Sequence, residues 1–73
     1  MSALPSNPAL SVLLDDIAEQ ADLAGLFARH VAEHASVGDA ASVVRSVQSL
    51  VRCALAVAET ARDLARPTGR AAA

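Results

Sequence analysis

The chain has no lysine, no tryptophan and no tyrosine, a single phenylalanine, Phe27, and a single cysteine, Cys53. Each shortage closes a route. One cysteine cannot form an internal disulfide, and a lone thiol suits a reducing compartment. No second thiol or base lies beside it in the sequence, so Cys53 reads as a small packing residue. A sheet wants β-branched and aromatic residues in alternation, and the aromatics are missing. Six arginines face eight acidic residues, for a net charge of −2. That balance gives no electrostatic footprint for nucleic acid or for an anionic membrane. No uncharged run approaches the roughly 20 residues of a membrane helix, and MSALPSNPALSVLL lacks the basic start of a signal peptide. A cytoplasmic protein without membrane contact is expected. Arginine in place of every lysine points to G- and C-rich coding DNA, as in many bacteria.

What the chain does have is alanine, 18 of its 73 residues, and alanine favours helix. Asn7 and Pro8 make a helix start, the first as N-cap and the second at the first helical position. The spacing predicts helices over about 8–35 and 39–66, stopped by Pro67 and Gly69. Residues 1–7 read as a flexible lead and residues 67–73 as a disordered tail.

Apolar residues recur at alternating steps of four and three. On the first helix the stripe is Leu10, Leu14, Ile17, Ala21, Ala24, Ala28, Val31 and Ala35. On the second it is Val43, Val47, Leu50, Ala54, Val57, Ala61 and Leu64. Folding the chain back at residues 36–38 sets these stripes against each other, with Leu14 across from Ala61 and Ala28 from Val47, large against small. Ser36 and Asp39 can open a capping box for the second helix, or Gly38 can end the first. Gly25 marks either a close approach of the two helices or a kink. Asp22 and Arg52 are expected to be near neighbours.

A hairpin needs one stripe per helix, and this chain carries more. Leu13, Leu23, Leu26, Phe27 and His30 lie off the first stripe, and Val44 and Val51 off the second. Surplus apolar surface of this kind marks an interface. These seven residues are the candidate contact set, with Phe27 as the anchor.

Two short motifs suggest other chemistry. His30, Glu33 and His34 spell H-x-x-E-H, which resembles the helix motif of zinc peptidases. The resemblance implies two zinc ligands one turn apart, with Glu33 as base. It covers five residues and needs a third ligand, and nothing across the hairpin near Ser42, Val43 and Arg45 supplies one. The run Ile17–Val31 resembles the helix-turn-helix of DNA-binding regulators, which would place a turn at Asp22 and a groove-facing helix after it. Asp22 stands where that family usually has glycine. Leu26 and Phe27 would face the groove, and residues 10–35 carry five acids against one arginine.

The sequence therefore predicts an all-α protein, an antiparallel two-helix hairpin pairing with a second copy into a four-helix bundle. Its expected role is a non-enzymatic oligomerisation and protein-interaction module, an adaptor, scaffold or regulatory subunit. It is expected to bind itself and another protein and to need no cofactor and no metal. A small DNA-binding regulator using residues 17–31 is the alternative.

Overall fold

The alanine-rich stretches are helical. In the computed structural model α1 spans Pro8–Ser36 and α2 spans Ala40–Ala65, and the structure describes residues 8–66. The expected lead and tail, residues 1–7 and 67–73, lie outside the described residues. The helices have 29 and 26 residues, so they are about 43 and about 39 Å long at about 1.5 Å per residue. Gly25 neither breaks nor kinks α1 into two pieces. A Cβ built there would meet nothing within 4 Å, so it is not a close-approach point between the two helices either.

Val37, Gly38 and Asp39 reverse the chain. Gly38 has φ of +74°, the left-handed region where a side chain clashes with its own backbone. Its N–H donates to Ala35 O at 3.1 Å and the Asp39 N–H donates to His34 O at 3.0 Å. This pair of bonds is the Schellman ending, which satisfies carbonyls that the end of a helix leaves bare. Ser36 does not take part in a capping box. It closes α1 instead, its Oγ donating to Glu33 O at 2.7 Å. Asp39 alone caps α2. Its carboxylate accepts the Ser42 N–H at 3.1 Å and the Ser42 hydroxyl at 2.7 Å. Arg45 in turn donates to Ser42 Oγ at 3.0 Å. At the far end Arg66 turns extended, with φ −66° and ψ 130°, as a residue preceding proline must.

The helices pack along a seam one row away from the expected one. Its α1 side is half-buried at Leu13, Ile17, Gln20, Ala24, Phe27, Val31 and His34. Its α2 side is most buried at Ser46, Cys53 and Thr60, seven residues apart. Ile17, Ala24 and Val31, with Val43, Leu50, Val57 and Leu64, stay at the seam as expected. Leu10, Leu14, Ala21, Ala28 and Ala35, and likewise Val47, Ala54 and Ala61, are exposed. The physical reason is volume. The rotated phase puts the largest side chain, Phe27, into the seam and sets small Ser46, Cys53 and Thr60 opposite the bulky row. A hydrogen bond holds the register. Thr60 Oγ1 donates to Asp16 Oδ2 across the helices at 3.0 Å.

Gly38 and Gly25 make two checks. Gly38→Ala is expected to lower stability by about 1 kcal/mol through backbone strain alone, about 4–8 °C in Tm for a chain this small. Gly25→Ala, in a regular helix with open space, should raise stability by about 0.5–1 kcal/mol. Thermal unfolding followed by circular dichroism reads both. Asp39 supplies a pH signature. Its Ser42 hydrogen bonds, then His34 and Arg45, hold its carboxyl below the usual 3.8. A depressed carboxyl stabilises the fold fully above its unfolded value and stops doing so as pH falls through the folded value. Asp39→Asn keeps a capping oxygen and removes the proton, so the loss of Tm below about pH 3.8 should be shallower in that variant.

Candidate interaction faces

A single pair of helices has two flat sides, and helix geometry assigns every residue to one of them. Each residue turns the helix by about 100°, so positions seven apart form a row. Two observations label the sides. The Asp16–Thr60 bond lies on one. An open depression of about 350 Å³ near the turn, lined by Ala35, Gly38, Asp39, Ala40, Val43 and Val44, lies toward the other.

Beyond the turn, the depression's side carries no charge at all. From α1 it receives Leu14, Ala21, Ala28 and Ala35, with Ser11, Ala18, Gly25 and Ala32 at its shoulder. From α2 it receives Ala40, Val47, Ala54 and Ala61, with Val44, Val51, Ala58 and Ala65 at the shoulder. Leu10, Leu14, Val44, Val47 and Val51 are 38–55 % exposed, so this apolar sheet is bare in the single chain. The opposite side and the outer edges carry every Asp, Glu and Arg of the two helices. Asp16, Glu19 and Glu33 come from α1, and Arg45, Arg52, Glu59 and Asp63 from α2, with Val12, Leu23 and Leu26 exposed among them.

The seven candidate residues are thus divided. Leu13, Phe27 and His30 are half-buried at or beside the seam. His30 lies edge-on to Phe27, ring centroids 6.0 Å apart. Val44 and Val51 are exposed on the uncharged side, and Leu23 and Leu26 on the charged side. The two leucines and the two valines do not share a surface. Leu10, Leu14 and Val47 belong to the uncharged side, although their spacing suggested the seam. The signal that would have found them is charge rather than hydropathy. The rows 14–21–28–35 and 40–47–54–61 never carry an ionisable residue.

The short motifs are also placed. His30 and His34 lie one turn apart along α1, their rings tilted with centroids 6.2 Å apart, and among the described residues no group of three or more His, Cys, Asp or Glu converges on one point. Residues 17–31 are one uninterrupted stretch of α1, and no non-glycine residue among those described has positive φ. The turn at Asp22 that a helix-turn-helix requires does not form. Asp22 and Arg52 are not paired. Arg52 donates to Ser49 Oγ at 3.4 Å, and the one salt bridge among the described residues is the exposed Arg66–Asp63 pair, worth little. Helix α2 is by length and composition alone apolar enough to cross a membrane, with a mean hydropathy of 1.3 over its most apolar window. No protein-family model, curated protein or solved structure matches the chain.

The part-buried hydrogen bond between Thr60 and Asp16 is a specific link between the helices. Thr60→Val keeps the shape and removes the donor, and should cost about 1 kcal/mol. Thr60→Ser, which keeps the hydroxyl, should retain more of the stability than its loss of a methyl would suggest. Urea unfolding of the two variants compares them.

Proposed function

We propose that this chain is a non-enzymatic interaction module that self-associates, two hairpins forming a four-helix bundle that presents its charged sides to another protein. The observation that carries the reading is the uncharged side, left bare by a hairpin that has almost no apolar interior of its own. Cys53 is the only buried apolar residue among those described, and no side chain there is fully buried. The Cα trace is only 12 Å deep along its shortest axis, one layer of helix. Folded domains need a second layer to close a core. Chains this short otherwise rely on disulfides, metals or a partner, and the single cysteine rules out an internal disulfide.

Insertion of α2 into a bilayer is less well supported. Arg45 and Arg52 both fall within its apolar stretch, and each costs about 2.5–3.5 kcal/mol at the centre of a membrane. Light scattering on a sizing column tests the proposal. The mass should be near twice the chain's 7.4 kDa, falling toward a single chain on dilution. A particle that stays at one chain mass at high concentration overturns it.

A further inference from the structure

The bare side is uncharged, and its large and small residues are also arranged on a diagonal. At the Asp16–Thr60 register, Leu10 and Leu14 stand on α1 at the end far from the turn. Val44, Val47 and Val51 stand on α2 at the turn end. The other two corners are small: Ala28 and Ala35 on α1 near the turn, Ala58 and Ala61 on α2 away from it.

A second copy laid face to face must be related by a two-fold axis lying in the plane of the face. If that axis runs along the helices, α1 of one copy covers α2 of the other, running antiparallel to it, so Leu14 meets Ala61 and Val47 meets Ala28. If the axis runs across the helices, each helix covers its own counterpart reversed. Leu14 then meets Ala28, and Val47 meets Ala61. Large meets small under both operations, the condition for close packing. A face with its bulk on one edge or at one end would lack this property under one axis or the other. The area also fits. A face about 40 Å long and two helices wide, about 20 Å, offers roughly 800 Å² per chain, what a stable dimer buries on each partner.

We infer that a second copy of this chain seats on the uncharged Leu14–Val47 face, large residues onto alanines, leaving Leu23 and Leu26 outside the contact. The inference rests on the self-association proposed above and names its face. Val47 and Leu26 are similarly exposed in the single chain, 38 and 45 %, and they lie on opposite sides. Val47→Asp places two uncompensated charges in the contact, one from each copy, and should raise the dimer dissociation constant at least about 100-fold. Leu26→Asp should change it less than about threefold. Sedimentation equilibrium measures both.

A second readout does not need the charged variants to fold. In a Cys53→Ala background, the thiol introduced by Val47→Cys should react with iodoacetamide at least about ten times more slowly than that introduced by Leu26→Cys, at concentrations where the wild type is dimeric. Equal rates, or protection at position 26, overturn the face. A dimer broken by Leu26→Asp and not by Val47→Asp overturns the face while self-association stands. A wild type that stays monomeric, whether or not it sediments with phosphatidylcholine vesicles, overturns both.

Discussion

Two helices laid side by side can shield only the strip along which they touch. Everything else about this molecule follows from that limit. A helix of 29 residues and one of 26 each present a cylinder with most of its surface outside the contact. In a chain whose composition is 53 % hydrophobic, much of that outside surface is apolar. The sequence manages the surplus by sorting it. Charge is confined to one side and the outer edges, and the other side is left with alanine, valine and leucine. Among the described residues the hairpin buries one apolar side chain, Cys53, and leaves the uncharged side exposed.

The seam is built from unusual material for a contact that must hold a fold. Its most buried α2 positions are a serine, a cysteine and a threonine. Small side chains let the helix axes approach and leave room for Phe27, Ile17 and Leu13 from the other side. The hydroxyl of Thr60 finds Asp16, so burial of that polar group is compensated rather than costly. A purely apolar stripe could slide by a turn with little penalty, whereas this bond names one register. The reversal adds a second fixed point at the other end, where Gly38 and Asp39 close one helix and open the next.

The architecture was legible in the sequence, and the rotation of the helices was not. Alanine content, Pro8, Gly38 and Asp39 suffice for two helices and a reversal, and the observed ends fall within a residue of those expected. The helix phase failed because α1 has apolar residues over more than half its circumference. Leu14–Ala21–Ala28–Ala35 and Leu13–Gln20–Phe27–His34 are both regular seven-residue rows, and periodicity alone cannot choose between them. Side-chain volume and one cross-helix polar pair decide, and both act through tertiary contact. The same error split the candidate contact residues. Leu23 and Leu26 group with Val44 and Val51 only because each pair lies off its own helix's stripe, and lying off a stripe on opposite sides is lying on different surfaces. The helix-turn-helix likeness fails for a simpler reason. It needs a bend at Asp22, and residues 17–31 are one uninterrupted stretch of helix.

The short reversal has one more consequence. A hairpin whose connection is strained tends to open, straighten and exchange its second helix with that of a neighbour, giving an intertwined dimer in place of a docked one. Here glycine occupies the one left-handed position among the described residues, and backbone groups of both adjoining helix ends are bonded within the loop. Nothing is gained by opening, because straightening through Val37–Asp39 would forfeit those bonds and relieve no distortion. Each chain is thereby kept closed on itself as a finished hairpin, its second helix held against its own first.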